Sequence, residues 1–290
     1  MAEKIGKTRQ RAAARAEEVF DAAVGKARGV LRRPHEAGKF RHARLAPPAE
    51  LAAWISNYWM VKWDLLRFAP YVAETLPHPN FQLIFDGGEA TVSGVFLGKF
   101  SRTLEGASHV FGVKFQAGAF RGFLKEAAAS LTNRVIPARR VFGRDVDTLA
   151  EKVGRCDSEE EMAAATNAFF RGRLPKADEL MALACELVER ILREREIKTV
   201  EDLVARSGMG KRSLQRIFRE YVGANPKWVI RRYRLHELTE QIQSGARLDW
   251  AELALELGYF DQAHLINDFR AIVGCTPVEY RKQLKEKEKR

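Results

Sequence analysis

The chain has 290 residues, 46% of them hydrophobic, and a formal net charge of +11; at roughly 100–200 residues per domain it has room for two domains with real cores. No apolar run is long enough to span a bilayer and no signal-peptide core is read, so neither a transmembrane nor a secreted design is expected. Cys156, Cys185 and Cys275 have no CxxC spacing and no His at metal-ligand spacing, so they read as reduced thiols of a cytoplasmic protein, with neither metal nor cofactor expected.

The basic surplus is placed unevenly. Residues 1–34 hold 9 Lys/Arg against 4 Asp/Glu, and residues 198–290 hold 18 against 13, while the middle is nearly neutral. A basic end joined to a neutral middle fits a polyanion reader attached to a domain that does not itself bind polyanions. Residues 1–38 alternate Ala, Arg, Lys and Glu with sparse apolar points. They read as a mobile extension, the alternative being an amphipathic basic helix lying on a membrane or on nucleic acid.

Residues 39–145 change character. Trp54, Tyr58, Trp59 and Trp63 crowd one stretch that starts as a helix around Pro48 to Ile55 and then enters a strand. Leu76 to Phe85 followed by Asp86-Gly-Gly88 reads as strand then turn, and Thr91–Phe96 and Ser108–Phe115 as further strands. Ala119 to Ser130 reads as helix. The expectation is a compact β-rich domain with helical additions, able to enclose a ligand cavity. Trp59, Trp63, His78, Asn80 and Phe115 are its candidate pocket residues, although a buried aromatic is more often plain core.

Residues 146–177 read as a helical connector, with Glu159-Glu160-Glu161 as a solvated face. From Ala177 to Lys198 a helix with the stripe Leu180, Ala184, Leu187, Val188 and Ile191 opens a last domain over residues 178–284, ahead of a disordered tail at 285–290.

That last domain contains one pattern twice. Phe218-Arg-Glu-Tyr-Val-Gly-Ala-Asn-Pro226 recurs as Phe269-Arg-Ala-Ile-Val-Gly-Cys-Thr-Pro277, 51 residues later. Each copy follows a short apolar-periodic segment ending in Gly, at Gly208 and Gly258, so the unit reads as helix-turn-helix used twice. Thr199 with Asp202, and Asp249 with Glu252, have capping-box spacing, while Asn225-Pro226 and Thr276-Pro277 place a cap before a first-turn Pro. Between the units, Pro226 to about Ser244 forms an amphipathic helix with Val229, Tyr233, Leu235, Leu238 and Ile242 inward. Its eighteen residues span roughly 27 Å, which approaches the roughly 34 Å repeat of DNA once the widths of the units are added.

In the first candidate recognition helix Leu214, Ile217, Phe218 and Tyr221 form the buried stripe. Lys211, Arg212, Gln215, Arg216 and Arg219 fall on the other side, and Arg and Gln are the side chains that pair bidentately with guanine and adenine edges. The second helix, Asp261 to Val273, offers Gln262, His264, Asn267 and Arg270 but also Asp261 and Asp268, which would repel phosphate. The first helix is therefore expected to supply more affinity.

The runs Arg212-Ser-Leu-Gln-Arg-Ile-Phe218, Val222-Gly223 and Pro226, with Leu257-Gly-Tyr-Phe-Asp-Gln-Ala-His-Leu265, Phe269-Arg270 and Gly274-Cys-Thr-Pro-Val-Glu-Tyr-Arg281, resemble the DNA-binding domain of the AraC/XylS family of bacterial transcription regulators. The resemblance covers about the last third of the chain. It implies a seven-helix, two-unit DNA reader attached to a sensing or dimerising domain, and an overall α+β chain with a β-rich N-terminal domain and an all-α C-terminal one. By position, Arg212, Gln215, Arg216, Gln262, His264 and Asn267 match the family's base-contacting face, with Lys211, Arg219, Arg231, Arg232 and Arg270 as phosphate contacts that set register. Two positions depart from the pattern: Gly210 stands where the family caps with Ser, and Phe260 where it holds a small polar residue. More loosely, the Tyr58-Trp59 stretch, the Leu76-Pro77…Asn80 strand and Phe115-Gln-Ala-Gly118 resemble the sensor-like domain of some AraC-type regulators.

The resemblance implies a non-enzymatic regulator whose partners are double-stranded promoter DNA, a small-molecule effector and RNA polymerase, acting as monomer or homodimer with no membrane. A DNA-repair enzyme using the C-terminal domain as an address is the competing class. It needs a reactive thiol, whereas Cys156 and Cys185 lie in unadorned helical surroundings. A non-specific DNA binder is the third reading.

Overall fold

In the computed structural model, residues 17–20, 27–31, 39–176, 178–246 and 248–288 are described. The N-terminal half is a twisted sheet of β1 (Glu17–Phe20), β2 (Phe40–Leu45), β3 (Ile55–Asp64), β5 (Gln82–Asp86), β6 (Glu89–Ser93), β8 (Ala107–Phe115) and β9 (Val135–Pro137), in the order β1-β2-β3-β8-β5-β6-β9. A separate ribbon pairs β4 (Tyr71–Thr75) with β7 (Phe100–Leu104). All pairings are antiparallel except β1 with β2. The β5–β6 hairpin closes through Gly87 and Gly88, at φ 56° and 85°, the positive-φ pair that a two-residue turn needs to match strand twist.

Alternation along β8 sends Phe111, Val113 and Phe115 into the main core, while Val110 joins a smaller cluster with Phe40, Trp63, Leu65 and Leu104 on the other face. Two short sequence expectations change here. Residues 119–130 do not form one helix but two 3-10 turns, Ala119–Phe123 and Ala128–Leu131. Residues 48–55 hold only one such turn, Ala49–Leu51, before β3 begins.

Helices α1 (Arg139–Phe142), α2 (Asp145–Gly154) and α3 (Glu159–Arg171) follow. Glu159 is not part of a solvated face: it is buried and holds Arg41 at 2.5 Å. Then come α4 (Glu179–Arg193), α5 (Val200–Ser207), α6 (Lys211–Ile217), α7 (Pro226–Gln243), α8 (Trp250–Glu256), α9 (Gln262–Val273) and α10 (Pro277–Glu288). On α4 the stripe is carried by Met181 rather than Leu180, which is exposed. The chain stays helical to Glu288, so residues 285–288 of the tail expected to be disordered are the last turn of α10, and 289–290 lie outside the described residues.

One buried apolar cluster runs unbroken from Ala43 in the sheet, through α2 to α6, to Tyr233 of α7. A second, built on Leu235, Leu238, Leu253, Leu265, Phe269 and Tyr280, lies at the C-terminal end and takes in Leu31 and Leu76. Between them sits α7, and it is not amphipathic. Val229, Tyr233, Leu235, Leu238 and Ile242 are buried, as expected, but so are Arg232, Arg234, His236, Glu237 and Thr239. The polar side is covered where Arg232, Arg234 and His236 reach carbonyls across the interface, while Thr239 bonds back to His236 O within the helix, since burial without a partner would be costly. Arg234 donates to the carbonyls of Ile191, Glu194 and Ile197 and to Glu237. His236 contacts the Leu76 carbonyl at 3.0 Å.

Residues 27–31 fall within the extension expected to be mobile, yet they are threaded between the two halves. The Leu31 amide donates to Glu74 O and the Leu76 amide to Gly29 O. The Tyr280 hydroxyl donates to Leu31 O, Gln243 donates to Val30 O, and Arg28 makes a two-pronged ion pair with Glu240. Gly29, at φ 78°, is pressed so close that a Cβ would stand 2.6 Å from Leu76 O. The remainder of the expected extension lies outside the described residues, save the strand β1.

Candidate nucleic-acid interface

The first unit begins at a full capping box: the Thr199 hydroxyl accepts from the Asp202 amide while Asp202 accepts from the Thr199 amide. Gly208, at φ 68°, ends α5 and opens the turn, a left-handed cap that favours Gly. Helix α6 then starts at Gly210 with no side-chain cap. Leu214 and Ile217 anchor its inner face, and Lys211, Arg212, Gln215, Arg216 and Arg219 are all exposed. The last turn widens, with the Gly223 amide donating to Phe218 O, and brings Phe218 and Val222 into the core.

In the second unit the Asp249 side chain caps α8, and Asp261 caps α9 by accepting from the His264 amide at 2.7 Å. Gln262, His264, Asn267 and Arg270 are exposed along α9, and Leu265 and Phe269 are buried beneath them. Asp268 does not repel phosphate as expected. It is buried, ion-paired with Arg231 of α7 and bonded by the Tyr259 hydroxyl at 2.7 Å. Asp261 is spent partly as a helix cap.

The two units share a groove of about 950 Å³. Lys211 and Gln215 line it from α6, Arg219 from the wider turn that follows, Lys227 and Arg231 from α7, and Tyr259 and His264 from the second unit. The structure thus brings Gln215 and His264 to one concavity, while Arg212, Arg216, Gln262 and Asn267 stand exposed outside its lining. Sequence reading missed Lys227, an exposed cation one residue past the Asn225-Pro226 cap, and Lys198, whose ammonium bonds the Leu255 carbonyl and so ties the two units together. Neither lies on a recognition helix, which is why the helix-face argument passed over them.

Two expected phosphate contacts are corrected. Arg232 is 1% exposed, donates to the carbonyls of Leu97 and Gly98, and stacks over the Trp228 ring at 4.7 Å. Burial lowers its pKa to about 10. It clamps the N-terminal half onto α7 and faces no solvent-borne phosphate. Arg231 is half-exposed but already committed to Asp268.

The five candidate pocket residues separate. Trp63 is buried in the smaller cluster with its indole N–H on Glu105 O, and Trp59 packs flat on Gly112 and donates to Gln82. Phe115 is core, ringed by Phe120, Phe123 and Phe170. His78 and Asn80 line a cleft of about 550 Å³ between the sheet, α4 and α7. Burial holds the His78 imidazole well below its usual range and therefore neutral. Among the described residues no cluster of three or more His, Cys, Asp or Glu is arranged to hold a metal.

Two helix-turn-helix units set against one scaffold helix make up the C-terminal part of the chain. Residues 203–283 match the family described as helix-turn-helix domain, and residues 43–137 match a domain of unknown function (DUF6597). The HTH-type transcriptional activator AarP of Providencia stuartii is 32% identical over 83 residues, which are 29% of this chain and 61% of AarP. The RCS-specific HTH-type transcriptional activator RclR of Escherichia coli is 31% identical over 88 residues, 30% of this chain and 31% of that protein. The chain thus spans less than two thirds of either relative. The structure of ToxT from Vibrio cholerae O395 overlays at a TM-score of 0.37 and 13% identity, over 78% of this chain and 98% of that one. The C-terminal domain is a helix-turn-helix domain of the AraC type, joined here to a β-rich N-terminal domain.

Proposed function

We propose that this chain is a bacterial, cytoplasmic, sequence-specific transcription regulator that binds promoter DNA through both helix-turn-helix units. One observation carries the reading: both helix-turn-helix units expose a row of polar side chains, with Gln215 and His264 on one shared groove, on the scaffold of the 18-residue α7. Arg212, Gln215 and Arg216 would read one major groove and Gln262, His264 and Asn267 the next. Lys211, Arg219, Arg270 and the newly noted Lys227 would hold phosphates. The N-terminal half would bind a small effector and act on DNA affinity through α7, and RNA polymerase is the expected protein partner. The protein would work as a binder, not a catalyst; no helix among the described residues is long and apolar enough to cross a membrane.

Selection of sites from a randomised duplex library by the full-length protein, at fixed salt, tests this reading. Two motifs about one helical turn apart are the expected outcome. Recovery of unenriched sequence would overturn it.

A further inference from the structure

The cleft beside His78 and Asn80 has a chemistry that the domain match does not assign. Its floor is strand β8 at Lys114; its sides come from Arg44 of β2, Arg28 of the 27–31 segment, helix α4 and Tyr233 of α7. Three cations therefore border one space. Arg28 is satisfied by Glu240, and Arg44 donates to Asn57 Oδ1 at 3.1 Å. Lys114 is different: among the described residues no carboxylate pairs with it. The acidic side chain in the lining, Glu189, is paired with Arg193 instead. An ammonium that shares a cleft with two guanidinium groups, partly withdrawn from water and with no carboxylate bound to it, is destabilised as it stands. Its pKa is lowered to about 7, first by burial and then by Arg44 and Arg28. Perturbed titratable groups in a cleft mark candidate sites of function. The lining also has an apolar part, Val188 and Leu192 from α4 with Ala117.

We propose that this cleft binds a small organic anion, one carboxylate or phosphate group on a short apolar body, with the anionic head on Lys114 and the body against α4. Asn80, whose amide N–H is committed to Phe115 O at 2.6 Å, orients the neighbouring backbone. The occupant would touch Tyr233 and lie beside Arg28, which grips Glu240. Both Tyr233 and Glu240 belong to α7, the helix that spaces the two DNA-reading units, so binding energy would reach the DNA-binding domain without a long relay. Only that regulatory consequence rests on the regulator reading; the site itself does not.

The anion restores the charge on Lys114, so binding takes up a proton and weakens as pH rises above 7. The other groups around the cleft do not compete for that signal. The bond to Glu240 raises Arg28, burial lowers Arg44 from a guanidinium value far above this range and holds His78 well below its own, while it pushes Cys185 up to about 11 and raises Tyr233.

The test is calorimetric titration of the full-length protein at constant chloride, at pH 6.5 and 8.5. The probes are sodium benzoate, phenyl phosphate and the neutral benzyl alcohol. At least one anion should saturate a single site, more tightly at pH 6.5. K114M should bind at least tenfold more weakly and K114R should recover most of the loss; benzoate against phenyl phosphate separates carboxylate from phosphate. K114Q serves in place of K114M if the latter fails to give a native melting transition. Failure of both anions to saturate the wild type, equal binding of benzyl alcohol, or unchanged binding by K114M would overturn the proposal. The same preparation enters the DNA selection without any anion. DNA enrichment without anion binding sinks the site and leaves the regulator; anion binding without enrichment does the reverse.

Discussion

The two helix-turn-helix units share a sequence pattern but are held in the molecule in different ways. The first is fused to the N-terminal half. Leu203, Leu214, Ile217, Phe218 and Val222 belong to the same buried cluster as the sheet, and Arg121–Glu220 and a Thr132 bond to Gly223 O fasten its rim. The second has a small core of its own, from Leu253 to Tyr280. It hangs on α7 through the Arg231–Asp268 pair, on the N-terminal half through a Lys99 bond to Val273 O, and on Leu31 through the Tyr280 hydroxyl. One helix-turn-helix unit is thus part of the frame and the other is mounted on it. The second head is the one whose position a change at α7 or at residues 27–31 can alter at least cost.

The largest way to break this comparison is to excavate each core. Phe218→Ala and Phe269→Ala should each cost about 3–5 kcal/mol. Phe218→Ala should lower one transition for the whole chain, and Phe269→Ala should split off an early transition for the second unit alone. Calorimetric melting of both variants decides it, and identical single transitions would show the two heads to be equally embedded. Next in size is the joint between α7 and α9. Arg231→Ala leaves Asp268 buried with only Tyr259, and should cost about 1–3 kcal/mol, below the figure for a fully buried pair because Arg231 is half-exposed. Adding Asp268→Asn should recover part of that loss in urea unfolding.

On DNA, Arg216→Ala in the frame-held head should cost about 1–3 kcal/mol and relax preference at one base position. Asn267→Ala in the mounted head should cost less. Competition binding against single-base variants of the selected site reads both, and a uniform loss across variants would assign Arg216 to phosphate.

A pH dependence probes the seam where the frame meets α7. His236 is buried against Leu76 O and His78, with Arg232, Arg28 and Lys114 near, and burial lowers its pKa from 6.5 to about 3. The unfolded chain therefore binds the extra proton first, so stability is full above pH 6.5 and falls as pH drops toward 3. His236→Gln should flatten the slope of unfolding free energy between pH 7 and 4.5. The smallest effect expected is at Gly210, whose extended backbone and open surroundings accept a side chain. Gly210→Ser should add a few tenths of a kcal/mol by capping α6, measured as a small rise in Tm.

The candidate site was legible where local rules suffice. Arg212, Gln215, Arg216, Gln262, His264 and Asn267 follow from helical period and proved exposed, and the caps at Thr199, Asn225 and Asp249 were readable from adjacent residues. Arg232 was misassigned because a cation on the polar side of a helix looks solvent-facing until something covers it. Trp59 and Trp63 were misassigned because strand alternation gives two faces without saying which one is open. Lys114 stood in the same alternation as Val110 and Gly112, with nothing local to show that no acid would face it.

By itself the sequence determined the doubled helix-turn-helix pattern and the caps that bound its helices, since periodicity, capping and turn chemistry act within a few residues along the chain. Only the tertiary structure decided that α7 is covered on both sides, that residues 27–31 lock the halves together, and that three cations meet in one cleft. Those are contacts between segments up to 249 residues apart, as in Tyr280 with Leu31. They depend on which surfaces the fold presses together, and no local pattern encodes that.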